Sequence, residues 1–367
     1  MKILVYDVAA EDGGGLFVLK NFYEEALNSI GKYPNVEWVF ITSYSILESR
    51  DGVQVINYEW IKKSWIHRLY FEEFTIQKVI RDLKIDIIIS LQNTTIKRIE
   101  LDQYVYLHQS LQFCPKKFSL FKQEECNLAV RQKIICGMYK KGLKKAKHIY
   151  VQTKWIKTAT EKWISCKKDK ITVVPVNVEN FMNKKLDNSY MNSKTFFYPA
   201  RAELYKNHEV IVEACKQLWG KGVRDFKVIF TMNKDENFYS KNIAEKSKNL
   251  PIEFIGKLPY DKIWDFYQNT TLIFSSYLET CGLPLLEAKQ VGTYILASNM
   301  PFAHEALEDY ENVSYFDYAN AEELAKEMKE IIEDKKKCVK EGKLNYRKSS
   351  LLTSMIDDIL KEKDELK

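Results

Sequence analysis

The segment from 277 to 288 holds two glutamates, Glu279 and Glu287, on either side of Gly282 and Pro284. Gly282 lets the backbone approach a ligand closely, and Pro284 suits the first turn of a following helix. The start of that helix offers unpaired N–H groups and the positive end of its dipole, which suit a diphosphate. We expect Glu279 to project toward a sugar and Glu287 to accept hydrogen bonds from ribose hydroxyls. Two surface glutamates around a helix cap are the simpler alternative.

Two cations, Arg201 and Lys206, lie between a predicted strand at 195–198 and a predicted helix at 207–218. Both can converge on the mouth of one site, where they would neutralise a diphosphate leaving group in the role that a metal ion plays elsewhere. The sequence contains no Asp-x-Asp, the usual carboxylate clamp for a divalent metal on such a group. We therefore expect neither a metal ion nor another cofactor, although two basic residues of an ordinary loop would look the same.

A glycine run and a histidine are weaker candidates in the first half of the chain. Gly13, Gly14 and Gly15 form a predicted turn after the first strand, where backbone N–H groups can reach a phosphate or a reacting sugar. The run lacks the full GxGxxG spacing, so an ordinary flexible turn stays open. His108 directly follows a predicted strand at 104–107, where it can hydrogen-bond a sugar hydroxyl or only a backbone carbonyl.

Predicted strands and helices alternate along the chain and place these residues at strand ends. The apolar strand patterns lie at 3–6, 38–42, 54–58, 86–91, 104–107, 149–152, 171–174, 195–198, 226–230, 252–255, 271–275 and 294–297. Helical patterns lie at 16–30, 207–218, 260–268, 284–291 and 321–333. Strand then helix, repeated, predicts parallel sheets covered on both faces. The fold class is therefore α/β, with two Rossmann-like, doubly wound domains.

Length and composition agree with two globular domains. A chain of 367 residues exceeds what one hydrophobic core usually organises, and 46% hydrophobic with 29% charged residues excludes a largely disordered protein. The polar, Asn-rich stretch at 175–193 is a plausible linker. We predict an N-terminal domain at 1–185, a C-terminal domain at 186–345, and a C-terminal helix at 346–367 that packs back toward the first domain.

The absence of targeting signals and the pattern of cysteines favour a cytoplasmic location. The first residues carry no secretory leader, and no apolar run approaches the ~18 residues that span a bilayer. Seven cysteines lie far apart without a CxxC pair, which fits reduced thiols and argues against structural zinc.

A basic segment runs from Cys126 to Thr160, because this range contains nine lysines and arginines and no Asp or Glu. It favours an anionic partner, with a solvated helix face as the alternative. The segment lacks the interleaved aromatics and the motifs of nucleic-acid readers, so we expect no nucleic-acid partner.

These motifs, taken in order, resemble glycosyltransferase family 4, the retaining enzymes of GT-B fold. The resemblance covers nearly the whole length. It runs through the glycine run, 107–109, 151–153, 174–178, Arg201 with Lys206, the paired glutamates, 299–301 with Glu305, and 321–325. The His-Gln-Ser segment at 108–110 and the basic helix after it are most similar to members that build bacterial surface polysaccharides such as lipopolysaccharide or capsule.

The resemblance implies a role for each site residue toward a nucleotide-sugar donor. Glu279 would hold hydroxyls of the donor sugar, and Glu287 the ribose. Arg201 and Lys206 would hold the diphosphate. Backbone contacts would come from Gly282 and Leu283 and, on the other domain of a cleft, from Gly14 and Gly15. Members retain anomeric configuration by front-face substitution, so no side-chain nucleophile need be assigned.

Two departures from the family pattern weaken the substrate assignment more than the activity. Pro175-Val176-Asn177-Val178 stands where Pro-Asn-Gly-Val is common, and Asn207 stands where a glycine often follows the lysine.

The resemblance also implies that the acceptor is a glycan or a polyprenyl-linked glycan. Such an acceptor suggests a function for the basic segment. An acceptor at the inner membrane face would make the segment a peripheral membrane surface. Its residues would be Lys140, Lys141, Lys144 and Lys145 beside Ile134, Ile135, Met138 and Leu143.

Two other functions stay open. A catalytically silent, sugar-binding or scaffolding homologue of a polysaccharide assembly complex would not need all four of Glu279, Glu287, Arg201 and Lys206. A nucleotide-sugar epimerase of the same fold would need acid and base residues around the sugar that the sequence does not reveal.

Overall fold

The computed structural model describes residues 1–11, 13–175, 194–335 and 351–364. These residues form two compact units. The first unit contains 1–112, 131–175 and 351–364, and the second contains 113–130 and 194–335.

The strands, in chain order, are β1 (Lys2–Tyr6), β2 (Glu37–Thr42), β3 (Val53–Asn57), β4 (Ile87–Ser90), β5 (Asp102–Leu107), β6 (His148–Val151), β7 (Ile171–Val173), β8 (Thr195–Tyr198), β9 (Lys227–Phe230), β10 (Ile252–Phe254), β11 (Thr271–Phe274), β12 (Ile295–Ser298) and β13 (Val313–Phe316). β1 to β7 form one parallel sheet in the order β3-β2-β1-β4-β5-β6-β7. β8 to β13 form a second parallel sheet in the order β10-β9-β8-β11-β12-β13.

The α-helices are α1 (Gly13–Ser29), α2 (Trp65–Tyr70), α3 (Ile76–Asp82), α4 (Cys126–Val130), α5 (Cys136–Lys145), α6 (Lys154–Ile164), α7 (His208–Gly220), α8 (Phe238–Lys246), α9 (Tyr260–Asn269), α10 (Leu283–Gln290), α11 (Pro301–Ala306), α12 (Ala321–Ile332) and α13 (Leu351–Asp364). π-helical turns at Phe71–Thr75 and Arg131–Ile135 join α2 to α3 and α4 to α5.

Continuous apolar strands explain why both sheets are covered on two faces. All four residues of β4, β11 and β12 are buried, so neither face of these strands meets water. This pattern is typical of parallel sheets flanked by helices on both sides. The predicted fold class, two doubly wound parallel sheets, is confirmed.

The structure differs from the sequence prediction in two places. The predicted turn at Gly13–Gly15 is wrong as an element, because α1 already begins at Gly13. Residues 113–130, which fall in the range predicted for the first domain, pack with the second unit. There the Lys116 ammonium lies 4.5 Å from the ring centre of Tyr277 and 5.6 Å from that of Tyr318. The predicted domain boundary and the Pro-Val-Asn-Val departure lie largely outside the described residues.

The strand order creates one switch point in each sheet, where connections leave in opposite directions. It lies between β1 and β4 in the first unit and between β8 and β11 in the second. Open α/β sheets bind ligands at the carboxyl ends of strands beside such points. The residues that follow these four strands are therefore the candidates for a ligand site.

Candidate functional site

The second unit brings three of the predicted site residues to its switch point. Arg201 and Lys206 follow β8, and Glu279 follows β11, the neighbouring strand. Parallel strands end at the same edge, so the loops after β8 and β11 meet there.

Lys206 and Glu279 form a direct ion pair. The Lys206 Nζ lies 2.5 Å from Glu279 Oε1, and both side chains are only 16% exposed. Burial alone would lower the pKa of Lys206, but the Glu279 carboxylate raises it above its ordinary value. The ammonium is therefore charged at neutral pH and available to another anion that reaches this place.

The backbone of the loop that carries Lys206 is fixed against the ends of both strands. The Tyr198 hydroxyl donates to the Lys206 carbonyl at 2.7 Å, and the Ser275 hydroxyl donates to the same oxygen at 2.9 Å. The Tyr277 N–H donates to the Tyr205 carbonyl at 3.0 Å. These bonds set the position of Lys206 before any ligand arrives, which is what preorganised electrostatic stabilisation needs.

Asn207 explains one departure from the family pattern. Its backbone adopts φ +58° and ψ 42°, the left-handed conformation that favours glycine and that asparagine tolerates best among other residues. Its side-chain amide also donates to the Tyr318 carbonyl at 2.7 Å. Asparagine therefore keeps the conformation that glycine would supply and adds a tie to a third loop.

The start of α10 has the geometry of an anion site. Gly282 caps the helix with φ +66°, and Leu283 and Pro284 form its first turn. The first N–H groups of a helix have no partner within it and carry the positive end of its dipole. Leu283 is half-buried at this end, four residues after Glu279.

Glu287 is largely buried, so the simpler alternative of two surface glutamates does not hold for this residue. The residue is 7% exposed, and its two carboxylate oxygens accept hydrogen bonds from the hydroxyls of Tyr260 at 2.8 Å and Tyr267 at 2.9 Å. Burial raises its pKa above the ordinary value, against the effect of the two hydroxyls. Of the two tyrosines, Tyr260 is 43% exposed and Tyr267 is buried, so the oxygen bonded to Tyr260 is on the more open side of the carboxylate.

Arg201 is exposed directly after β8. It precedes Lys206 by five residues, so both cations belong to the connection between β8 and α7. A pair of cations at one loop is the arrangement that a diphosphate requires.

The first unit places the remaining candidates at its own sheet edge. The His108 Nε2 lies 2.8 Å from the Leu91 carbonyl, which can only accept, so Nε2 carries the proton and Nδ1 is the acceptor nitrogen of the neutral ring. A Cβ built on Gly15 would lie 3.9 Å from His108 Cε1, so helix α1 begins beside this ring. Gly14 has no neighbour within 4 Å of such an atom.

Three polar residues beside His108 were missed by sequence reasoning. Asp7, which follows β1, is 2% exposed and accepts from Gln92 Nε2 at 2.5 Å and from the N–H groups of Ala9 and Ala10 at 3.0 Å. Gln92 Oε1 in turn accepts from Arg68 Nη2 at 2.7 Å. Burial raises the pKa of Asp7, while His108 opposes that rise. The position of Asp7 directly after the first strand was the available signal.

The basic segment presents fewer apolar residues than the sequence indicated. Lys141, Lys144 and Lys145 are exposed, whereas Lys140 lies 5.7 Å from the ring centre of Trp163. Leu143 is fully buried, so it is no part of a surface, and its inclusion in the predicted membrane face was wrong.

The described residues show neither a cluster of metal ligands nor a membrane span. No group of three or more His, Cys, Asp or Glu side chains is placed there to hold a metal ion. Within the same ranges, none of the helices combines the length and apolar character that a bilayer crossing needs.

The second half of the chain matches a known family. Residues 179–348 match the model of the family described as glycosyl transferases group 1. This range contains Arg201, Lys206, Glu279 and α10. No curated protein matches the chain.

Solved structures of similar fold cover nearly the whole chain. A sucrose-phosphate synthase from Thermosynechococcus elongatus superposes with a TM-score of 0.66 at 15% identity, covering 91% of this chain and 90% of that one. The Anabaena protein HepE in complex with UDP and glucose gives 0.59 at 16% identity, covering 91% and 90%. The lipopolysaccharide outer core galactosyltransferase WaaB gives 0.60 at 16% identity, covering 92% of each chain. The likeness establishes the GT-B fold.

Proposed function

We propose that this protein is a glycosyltransferase of family 4 that moves a sugar from a nucleoside diphosphate to a hydroxyl, with retention of configuration and without a metal ion. The observation that carries the proposal is the Lys206–Glu279 pair at the switch point of the second unit, inside the range that matches glycosyl transferases group 1. Neighbours of the same fold are described with UDP, UDP-glucose or a fluorinated UDP-glucose bound, which supports a nucleotide-sugar as donor.

In this proposal the diphosphate replaces Glu279 as the partner of Lys206. The ammonium and the Arg201 guanidinium neutralise the phosphate oxygens, and the N–H groups at the start of α10 bind the same group. Glu279, released from Lys206, accepts hydrogen bonds from hydroxyls of the donor sugar. The Lys206–Glu279 ion pair thus keeps both charges paired until the donor supplies new partners.

Bond making and breaking occur at one face of the sugar. The bond from the anomeric carbon to the phosphate oxygen breaks, and its electron pair stays on the diphosphate, where Lys206 and Arg201 stabilise the charge. The acceptor oxygen bonds to the anomeric carbon from the same face, and its proton passes to the departing phosphate. This chain need supply no nucleophile.

The proposal also assigns roles to residues of the first unit. His108 Nδ1 is the nitrogen that can accept a hydrogen bond from a sugar or acceptor hydroxyl, because Nε2 is held by Leu91. Gly14 and Gly15 would present backbone N–H groups of the first turn of α1 to the donor. Glu287 would hold the ribose after Tyr260 gives up its hydrogen bond.

The acceptor we propose is a glycan or a polyprenyl-linked glycan of surface polysaccharide synthesis, reached from the cytoplasm. The lysines at 141, 144 and 145 would bring the protein to an anionic membrane where such an acceptor lies. WaaB, of the same fold, is described as acting on the lipopolysaccharide outer core.

A donor screen tests the proposal. Nucleoside diphosphates and their sugars are first ranked by calorimetric affinity, and hydrolysis of the tightest sugar donor is then measured for the native chain and for Glu279→Ala and Lys206→Met. We expect both variants to lose turnover, and the anomer first released, followed by NMR, to have the configuration of the donor.

Three results would contradict it. Tight binding without turnover, in the presence of candidate acceptors, would favour a silent sugar-binding protein. A product in which the sugar stays on the nucleotide with one inverted centre would indicate an epimerase. A first-released anomer with the configuration opposite to that of the donor would contradict a retaining mechanism.

A further inference from the structure

The helical segment from Trp65 to Thr75 turns five large apolar side chains toward solvent. The exposed fractions are 74% for Trp65, 59% for Ile66, 43% for Leu69, 56% for Tyr70 and 64% for Phe74. We call these five residues the α2 strip. Scattered single apolar residues are normal on a protein surface, whereas a contiguous set marks an interaction site.

The fold of this segment keeps the strip outside. Phe71 and Ile76 on the other side of the helix are fully buried, so the helix cannot rotate without exposing core residues. The ring centres of Tyr70 and Phe74 lie 5.5 Å apart, and that of Tyr70 lies 6.3 Å from Trp60. The buried residues therefore fix the orientation of the strip, and neighbouring rings of the strip are in contact.

The part of the basic segment from Arg131 onward belongs to the same unit as the α2 strip. α2 and α5 both contact the loop after β4. The Arg68 guanidinium of α2 donates to Gln92 Oε1 at 2.7 Å, and the Thr95 hydroxyl donates to the Gly142 carbonyl of α5 at 3.4 Å. α5 and the turn before it expose Ile134 and Met138. The lysines at 141, 144 and 145 are exposed further along α5.

The charge around the strip is positive. Both acidic residues between 65 and 75 are already paired, Glu72 with Arg68 and Glu73 with Lys97 and Arg98. In the same unit, the range from 131 to 147 contains lysines and one arginine but no Asp or Glu. An apolar face with Trp and Tyr next to unopposed lysines fits the boundary between lipid headgroups and acyl chains.

We propose that the α2 strip inserts into the interface of a bilayer containing anionic lipid, while Lys141, Lys144 and Lys145 contact lipid phosphates. The inference deepens the membrane contact of the proposed function and rests on it, but it does not depend on sugar transfer, because no residue of the strip belongs to the donor site. The strip is an exposed helix face and not a groove. It therefore suits insertion into a bilayer better than it suits binding of a peptide.

Vesicle flotation of the full chain tests the strip. The vesicles contain phosphatidylcholine alone or with phosphatidylglycerol, at low and at high salt. We expect the native chain to bind anionic vesicles, and the variant Trp65→Ser/Ile66→Ser/Phe74→Ser to lose about tenfold or more in partition coefficient, since each substitution removes an apolar side chain from lipid. The matched control is Phe238→Ser, an equally exposed aromatic residue of α8 in the second unit, which should bind as the native chain does.

The lysines are tested separately. Lys141→Gln/Lys144→Gln/Lys145→Gln should lose about tenfold or more on anionic vesicles at low salt and nothing on neutral ones, because each lysine near an anionic surface contributes to binding. Lys241→Gln, an exposed lysine of α8, serves as its control.

Several outcomes would overturn the inference. They are native binding by the strip variant, equal loss in Phe238→Ser, or a concentration-dependent dimer that the strip substitutions abolish. Donor hydrolysis without lipid distinguishes this failure from failure of the proposed function. The strip variant should hydrolyse the donor at the native rate, which also shows that it is folded.

Discussion

Lys206 and Glu279 are the residues whose contact can be tested most simply. Glu279→Gln removes the only carboxylate in contact with the Lys206 ammonium among the described ion pairs. We expect a loss of about 1–3 kcal/mol in stability, because a largely buried cation loses its charged partner. We also expect turnover to fall by roughly 10²–10³-fold.

A matched control uses an exposed ion pair of the same unit. Glu253→Gln breaks the contact of Glu253 with Lys227, whose side chains are 54% and 42% exposed. Such pairs contribute little, so stability should change by less than about 1 kcal/mol and turnover not at all. Equal losses of stability in chemical denaturation would mean that the Lys206–Glu279 pair stabilises the protein no more than an exposed pair does.

Glu287 predicts a pH effect on stability. Its pKa is raised in the native state by burial, so the native chain holds this proton more tightly than the unfolded chain does. Stability should therefore fall as pH rises from the ordinary carboxyl value of about 4.3 to the raised native value. Glu287→Gln lacks this titration and keeps a partner for the tyrosine hydroxyls.

The measurement is the difference in Tm between the native chain and Glu287→Gln across that pH range. The native chain should lose its advantage as pH rises. The surface substitution Glu245→Gln, in a pair with Lys248, controls for general charge effects. A difference that grows with pH would contradict the raised pKa.

The sequence predicted which residues belong to the candidate site better than it predicted which residues contact one another. The spacing of Glu279, Arg201 and Lys206 indicated one site, and β8 and β11 bring the loops together. The Tyr260 and Tyr267 partners of Glu287 could not be predicted, because they come from α9 through packing against α10. Asp7 and Gln92 were missed for the same reason, since their contact joins residues 85 positions apart.

At the scale of elements, the cap of α10 depends on Gly282. Its φ of +66° is unfavourable for any residue with a side chain, and an added Cβ would lie 3.1 Å from Leu285 Cδ1. Gly282→Ala should cost about 1–2 kcal/mol and weaken nucleoside diphosphate binding, because the N–H groups that follow shift. Gly220→Ala, at the end of α7 with open space around it, should instead be neutral or stabilising by up to about 1 kcal/mol.

The close approach of α5 to the loop after β4 depends on Gly142. A Cβ there would lie 1.9 Å from Thr94 Oγ1 and 2.8 Å from the Thr95 backbone nitrogen, so the loop or the helix must move. Gly142→Ala should lose about 2 kcal/mol or more by urea denaturation. Gly137→Ala in the same helix meets nothing within 4 Å and should gain up to about 1 kcal/mol; equal values for the two would contradict the packing.

The elements that sequence patterns predicted are those whose patterns are strongest. β11, with four buried residues, reads as a strand without ambiguity. β13 was missed because three of its four residues are only half-buried, so its apolar signal is weak. The predicted turn at Gly13–Gly15 followed from glycine composition, but the helix that buries Val18, Leu19 and Phe22 extends back through all three glycines. Packing of the later residues outweighs local propensity there.

For the whole molecule, the last helix belongs to the first unit although it follows the second unit in sequence. Met355, Ile356 and Ile359 of α13 are fully buried, and Asp357 pairs with Lys32 at 2.8 Å. Ile356→Ala should destabilise the first unit by about 2–4 kcal/mol, because it leaves a cavity in the core. Hydrogen exchange should show faster exchange in β1 to β7 than in β8 to β13, and uniform acceleration of both sheets would contradict this assignment.

The central claim is that the second unit binds a nucleoside diphosphate through Lys206, Arg201 and the start of α10. The most direct measurement is calorimetric titration of the tightest-binding nucleoside diphosphate, in the presence of EDTA, into the native chain, Lys206→Met and the control Lys227→Met. We predict binding that persists in EDTA, falls by about 10- to 100-fold in Lys206→Met and is unchanged in Lys227→Met. Binding that requires an added divalent metal, or that is equally strong in both variants, would contradict the claim.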